Sequence, residues 1–141
     1  MKDEVSLFKV LAEPNRLRIL SLLRGRERFV CQLMAVLGLS QPLVSRDLAL
    51  LERAGLLASR RLGKQVYYRW AEPLPPLARR VLAALAEEWE TSATARADLA
   101  ASDELQRRFG GGEGVCDMAA VRRYLAYRHD RTMKIQSQEE G

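Results

Sequence analysis

The chain has 141 residues, 48% of them hydrophobic, and a formal net charge of +5. This length is enough for one buried core, and no apolar run is long enough to cross a membrane. Residues 1–70 carry 13 Lys and Arg against 6 Asp and Glu, whereas residues 71–141 carry 10 against 12. Because the basic excess belongs to the first half, that half is expected to bind a polyanion.

The cysteine content indicates the cellular compartment. Cys31 and Cys116 lie 85 positions apart, and two cysteines are too few for a disulfide scaffold, which favours a reducing environment. Residues 1–5 also lack the apolar core of a signal peptide. We therefore expect a cytoplasmic protein.

The first third of the chain predicts three helices and a short strand. Apolar spacing and Pro14 favour helices over residues 5–12 and 14–23, and residues 29–30 favour a short strand. Residues 31–38 predict a short helix ending at Gly38, which suits a left-handed C-terminal position.

Residues 40–54 predict the helix that carries most of the functional information. Ser40 is a suitable N-cap, and Pro42 falls in the first turn, where its missing N–H costs nothing. Val44, Leu48 and Leu51 recur at helical spacing and predict one buried stripe. The opposite arc is polar or small and contains Gln41, Ser45, Arg46, Ala49 and Arg53.

Two helices joined by a tight glycine turn, the second with a polar outer face, are typical of a helix-turn-helix. The same pattern also fits an ordinary helical hairpin with an exposed second helix. The charge distribution and the following segment favour DNA binding.

That following segment predicts a β-hairpin. Residues 58–62 and 65–70 have strand character and flank a turn at Gly63 and Lys64. A basic hairpin directly after a recognition-type helix is typical of a wing, whose cations meet phosphates and add affinity rather than base selectivity. The alternative is a solvated edge kept soluble by its charges. The cations on or beside this hairpin are Arg60, Arg61, Lys64 and Arg69.

The second half predicts a helical extension. Residues 77–89 form an apolar helix with a stripe that needs a partner surface, for which a second copy of the chain is the simplest candidate. Residues 91–109 predict a helix anchored by Leu99, Leu105 and Phe109. A glycine-rich break at 110–114, a last helix over 116–129 and a disordered tail after Arg131 follow. We divide the chain into a DNA-binding and dimerisation domain, 1–90, and a C-terminal extension, 91–141.

Four blocks of this sequence resemble the ArsR/SmtB family of bacterial winged-helix repressors: LAEPNRLRIL at 11–20, LSQPLVSRDL at 39–48, AGLL at 54–57 and GKQVYYR at 63–69. Members leave their operator when a metal, metalloid or thiol-reactive signal arrives. The resemblance implies a mostly α winged helix-turn-helix with a small β-hairpin wing. It also implies a homodimer formed through the first helix and the helix at 77–89, bound to an imperfectly palindromic operator. Gln41, Ser45 and Arg46 would then lie in the major groove.

Asp47 departs from the family pattern, because relatives often have a histidine at this position. Phosphate would repel a carboxylate there. Asp47 is therefore expected either to face away from DNA or to accept a hydrogen bond from a cytosine amino group.

The resemblance also allows the sensing site to be compared residue by residue. Arsenic-responsive members have two cysteines in the segment that is here 27–33, whereas this chain keeps Cys31 and has Phe29 at the other place. Zinc-responsive members use His and acidic pairs on the dimer helix, but residues 74–90 contain no His, Asp or Cys, and His129 is the single histidine. A tetrahedral zinc site is therefore not expected, nor is a permanent cofactor.

Cys31 and Cys116 remain as candidate ligands for a soft inducer such as arsenite, which thiolates would hold. A second possibility is a dithiol switch in which oxidants or persulfides link the two cysteines. A third is that the two cysteines have no sensing role and only pack.

Two other classes of function fit the sequence less well. A cysteine with His129 could in principle form a nucleophile–base pair, but the chain has no Gly-rich phosphate loop and no recognisable oxyanion site, so an enzyme is not expected. A winged helix that binds protein would not need the basic hairpin. The predicted DNA-binding residues are Ser40, Gln41, Ser45, Arg46, Arg60, Arg61 and Lys64.

Overall fold

The computed structural model describes residues 1–109 and 118–140. The elements in these ranges are α1 (Lys2–Leu11), α2 (Pro14–Leu22), β1 (Arg28–Phe29), α3 (Val30–Leu37), α4 (Gln41–Arg53), β2 (Leu57–Leu62), β3 (Gln65–Trp70), α5 (Pro76–Thr91), α6 (Ala93–Phe109) and α7 (Met118–Glu140). This arrangement confirms the predicted winged helix-turn-helix with a helical extension. Within the described ranges no single helix is long and apolar enough to cross a membrane; α3 and α4 pass only as a pair, bent by 116°.

Local signals set the helix ends of the helix-turn-helix. Gly38 has φ +68° and ends α3 in the left-handed conformation, as predicted. Ser40 occupies the N-cap position of α4, and its carbonyl accepts from the Val44 N–H at 3.1 Å, but its side chain makes no capping hydrogen bond. Ser40 is therefore the N-cap residue, as predicted, although the cap is formed by its backbone carbonyl alone, and the residue is exposed.

The sheet is antiparallel with the order β1-β3-β2. A two-residue turn joins β2 to β3, and Gly63 adopts φ +61° there, a conformation that favours glycine. The Phe29 and Tyr67 rings stack with centroids 3.8 Å apart, and the Trp70 indole donates to the Leu20 carbonyl at 2.9 Å. The ring contact joins β1 to β3, and the indole hydrogen bond holds the end of β3 against α2.

The core surrounds α3. Its side chains from Leu33 to Leu37 are at most 7% exposed, because α2, α4, α6, α7 and both β1 and β3 pack against it. The apolar stripe predicted for the 77–89 helix is largely covered within the chain: Leu82 is fully buried, and Val81, Leu85 and Trp89 pack against the core.

The extension differs from prediction in two places. Leu99 was expected to anchor α6, but it is 43% exposed, and the buried face of that helix consists of Ala95, Asp98, Ser102 and Leu105. The tail after Arg131 was expected to be disordered, whereas α7 continues to Glu140. The glycine-rich break, Cys116 and the Phe109 side chain lie outside the described residues.

Polar contacts fix the extension to the winged helix. Arg18 of α2 donates from Nε and Nη2 to the two carboxylate oxygens of Asp98 at 2.8 and 2.9 Å, and this pairing raises the pKa of Arg18. The buried Arg28 guanidinium donates to the Leu22 carbonyl at 2.7 Å and to the Ser102 hydroxyl. The Tyr124 hydroxyl of α7 donates to the Ala101 carbonyl at 2.9 Å. Helices α6 and α7 therefore share the core of the winged helix.

Substituting Arg18 with Met should destabilise the protein by about 3 kcal/mol, because Asp98 would remain buried without its partner. The double variant Arg18→Met/Asp98→Leu should recover most of this loss. Urea unfolding would measure both changes.

The matched control is Arg26→Met, which breaks an ion pair to Asp103 between side chains that are 51% and 41% exposed. It should cost less than about 1 kcal/mol. Equal losses for Arg18→Met and Arg26→Met would contradict the structural role of the Arg18 pair.

Candidate nucleic-acid interface

Helix α4 has one buried and one exposed face. Val44, Leu48 and Leu51 are fully buried, which confirms the predicted stripe. The opposite face is exposed, and it contains the predicted major-groove residues Gln41, Ser45 and Arg46. The preceding Ser40 is exposed as well. This face offers an amide, two hydroxyls and a guanidinium, the group types that read base edges and phosphates.

Arg53, the last member of the predicted polar arc, is exposed, as expected, and also borders a cavity. This cavity of about 540 Å³ lies between the end of α4, the start of α5 and α1, with Asp3, Glu4 and Leu77 among the other lining residues.

Asp47 faces inward, the first of the two orientations expected for it. It is 4% exposed, and its Oδ1 accepts a hydrogen bond from Arg16 Nη1 at 3.1 Å. The carboxylate is thus paired inside the protein and removed from the exposed face of α4.

The wing cations fall into two groups. Arg60 donates from Nε and Nη2 to the carboxylate of Glu27 at 2.7 and 2.6 Å and lies 4.6 Å above the Tyr67 ring. The hydrogen bond from Arg60 is the largest cause of the lowered pKa of Glu27. Burial opposes this shift, and the charges of Arg60 and Arg69 add to the lowering. A phosphate contact by Arg60 would therefore compete with an ion pair inside the chain.

Arg61, Lys64 and Arg69 form the second group. All three are exposed, and none makes an ion pair with any residue in the described ranges. Their charges are available to a polyanion approaching the wing.

Two exposed apolar side chains belong to this surface and were not predicted. Leu43, in the first turn of α4, is 46% exposed, and Leu62, beside the wing turn, is 49% exposed. An apolar side chain can contact the thymine methyl group in the major groove. The sequence did place Leu43 outside the buried stripe that contains Val44. Because an isolated leucine on a polar face is common, this position alone did not indicate a binding role.

A hydrogen bond joins helix and wing at this surface. The Ser59 hydroxyl of β2 donates to Glu52 of α4 at 2.9 Å. This contact links the end of the recognition-type helix to the first strand of the wing.

Cys31, the first candidate thiol, is the second residue of α3, 9% exposed and disulfide-bonded. Cys116, the second candidate, lies outside the described residues, and a ligand shared between the two cysteines stays a prediction. Within residues 1–109 and 118–140 no group of three or more His, Cys, Asp or Glu side chains could hold a metal ion.

A family model described as "Bacterial regulatory protein, arsR family" matches residues 13–59, which span the helix-turn-helix and the start of the wing. The arsenical resistance operon repressor of Escherichia coli K12 is 44% identical over 79 residues, covering 55% of this chain and 68% of the relative.

Solved structures show the same fold. Reduced HlyU from Vibrio cholerae is 31% identical with a TM-score of 0.55, covering 62% of this chain and 88% of that one. The homodimeric winged helix-turn-helix DNA-binding domain of Mb0332 from Mycobacterium bovis, a possible ArsR-family regulator, is 29% identical with a TM-score of 0.54 and covers 65% and 82%. With this coverage and identity, the chain belongs to the ArsR family of bacterial regulatory proteins, and it is a DNA-binding transcriptional regulator rather than an enzyme.

Proposed function

We propose that this protein is a cytoplasmic transcriptional repressor that binds its operator as a homodimer and releases it when Cys31 changes its chemical state. The observation that carries the DNA-binding part is the exposed polar face of α4 beside an exposed basic wing. The signal-sensing part is supported by the position of a disulfide-bonded cysteine at the start of the first helix of the helix-turn-helix.

Helix and wing have different tasks in this proposal. Gln41, Ser45 and Arg46 read base edges in the major groove, with Ser40 at the helix start. Arg61 and Lys64 neutralise phosphates, so they contribute affinity that depends on salt and hardly on sequence. Arg60 contributes less to DNA binding, because Glu27 already neutralises its charge.

Replacing Arg46 with Ala should weaken operator binding by about 1–3 kcal/mol and relax base preference, because a guanidinium facing a base edge would be lost. Replacing Lys64 with Ala should weaken operator and non-specific DNA about equally and lower the slope of log affinity against log salt by about 1. Titrations of operator and shuffled duplexes at several salt concentrations would measure both effects.

Arg60→Ala is the control in the same hairpin and should lower the salt slope less than Lys64→Ala. If Lys64→Ala changed base preference and Arg46→Ala did not, the assignment of tasks would be wrong.

The proposed homodimer is supported by apolar surface on α1. Val5 and Phe8 are 50% and 53% exposed, on the helix that borders the 540 Å³ cavity with α5. The M. bovis domain of the same fold is homodimeric. Because much of the α5 stripe is covered within the chain, we place the main new apolar contact on α1, with α5 beside it. Two recognition helices related by two-fold symmetry would read two half-sites of an imperfect palindrome.

Phe8→Asp should shift the protein from twice to once its 16.0 kDa chain mass in sedimentation at micromolar concentration, because it buries a charge in an apolar interface. Leu99→Asp is the matched control, since Leu99 is also exposed but lies on α6, and it should leave the dimer intact. A wild-type monomer with undiminished operator affinity would exclude the dimer.

Two chemical signals fit the proposed site. In the first, oxidation of Cys31 and Cys116 forms a disulfide, with two protons and two electrons passing to the oxidant, and α3 is displaced so that DNA is released. In the second, arsenite binds the reduced thiolates, a signal that is supported by the likeness to the E. coli arsenical resistance repressor. The two signals exclude each other on one protein molecule, because sulfur in a disulfide is no ligand for arsenite.

The test compares reduced protein, protein oxidised with diamide, and reduced protein with arsenite or zinc. Oxidation or arsenite should weaken operator binding by about 5- to 150-fold, the usual range of coupling between two sites, and zinc should have little effect. Cys31→Ser should bind the operator as the reduced wild type does and ignore both signals, and Cys116→Ser should at least blunt them. An unchanged response in the double Cys→Ser variant would leave both cysteines with a packing role only.

A further inference from the structure

One guanidinium joins three helices behind the recognition surface. Arg16, in the first turn of α2, donates from Nε to the Val10 carbonyl at 2.5 Å and from Nη2 to the Lys9 carbonyl at 3.4 Å. Its Nη1 donates to Asp47 of α4 at 3.1 Å. The guanidinium therefore satisfies carbonyls at the end of α1 and holds the carboxylate of α4 at the same time.

The backbone of Arg16 is fixed as well. Its N–H donates to Oε2 of Glu13, the N-cap residue of α2, at 3.0 Å. The side chain is 13% exposed, and that of Asp47 is 6% exposed. A planar guanidinium held at this many points has little freedom to follow a moving carboxylate.

Asp47 directly follows Arg46 and lies two residues after Ser45. Around the helix axis Arg46 lies about 100° and Ser45 about 200° from Asp47, and both are exposed whereas Asp47 is buried. The rotation of α4 that buries Asp47 is thus the one in which Ser45 and Arg46 face solvent. The rest of the buried side of α4, Val44, Leu48 and Leu51, is apolar. These residues decide which face of α4 is buried, but their contacts are non-directional and fix the exact rotation less tightly than a hydrogen-bonded ion pair does. The ion pair is the directional contact on that side of the helix.

We propose that Asp47, held by Arg16, is a positioning residue for operator recognition: it sets the rotation of α4 about its axis and so aims Ser45 and Arg46 at the base edges. Hydrogen bonds to bases require the donor groups to be held within a fraction of an ångström and about 10–20°. Phosphate contacts by the wing have looser requirements, because they act through charge. Loss of the ion pair therefore weakens base discrimination before it weakens binding to DNA in general.

This inference rests on the proposed reading of bases by α4. Its test measures the ratio of affinities for the operator and for duplexes altered at single base pairs, together with affinity for unrelated DNA and the free energy of unfolding. Asp47→Asn, which keeps the shape of the side chain and removes its charge, should reduce the discrimination ratio about tenfold, the range of one good base contact. Affinity for unrelated DNA and its salt dependence should stay as in the wild type.

The chain offers a matched control in a second buried carboxylate. Asp98 pairs with Arg18 of the same helix α2, and its side chain is also 6% exposed, but it belongs to α6. Asp98→Asn should lower stability to a similar extent and leave base discrimination unchanged. Equal losses of discrimination in both variants, or an unchanged ratio in Asp47→Asn, would overturn the positioning role.

Two further variants keep the outcome decisive. Arg16→Lys retains the positive charge but loses the planar guanidinium with its paired donors. Because the geometry of the ion pair is then lost, this variant should lower the discrimination ratio. It also tests the proposal if Asp47→Asn does not fold. A folded Arg16→Lys protein with wild-type discrimination would contradict the proposal. Arg46→Ala separates this inference from the proposed function. If Arg46→Ala leaves base discrimination intact, α4 does not read bases and the proposed function fails. If Arg46→Ala lowers base discrimination and Asp47→Asn does not, only the positioning role is rejected.

Discussion

The fold depends on the burial of α3, a helix of eight residues that is too short to be stable in isolation. Six other elements pack around it, and hydrophobic burial keeps it inside without fixing its rotation. Polar contacts near its two ends supply that direction. The Phe29 N–H donates to the Gln32 side chain at 2.9 Å, and Arg128 of α7 donates to the Val36 carbonyl at 2.9 Å. The C-terminal extension thus satisfies one carbonyl in the last turn of the helix that carries Cys31.

This burial gives a physical route from Cys31 to the proposed DNA-binding surface. Protein interiors are close-packed, so a displaced helix moves its neighbours rather than compressing. Cys31 lies at the start of α3, and only Gly38, Leu39 and Ser40 separate the end of α3 from α4. A change in bonding at the sulfur that shifts α3 is therefore passed to the position of α4, since the connection is too short to absorb it.

The winged helix could be predicted from sequence because its signals are local. The spacing of Val44, Leu48 and Leu51 defines the buried face of α4, and Gly38 and Gly63 stand where positive φ is needed. The buried face of α6 could not be predicted in this way, because its members include Asp98 and Ser102, whose partners are Arg18 and Arg28, 80 and 74 positions away. Asp47 posed the same problem, with Arg16 lying 31 positions earlier. Burial of a polar residue is decided by its partner, which hydrophobic periodicity does not reveal.

Helix α2 connects the helix-turn-helix to the C-terminal extension. Arg16 and Arg18 are two positions apart, and since residues at that spacing point about 200° apart around a helix, they extend to different sides of α2. Arg16 holds α1 and α4, whereas Arg18 holds α6. One helical turn therefore fixes the recognition helix and the C-terminal extension to a common frame.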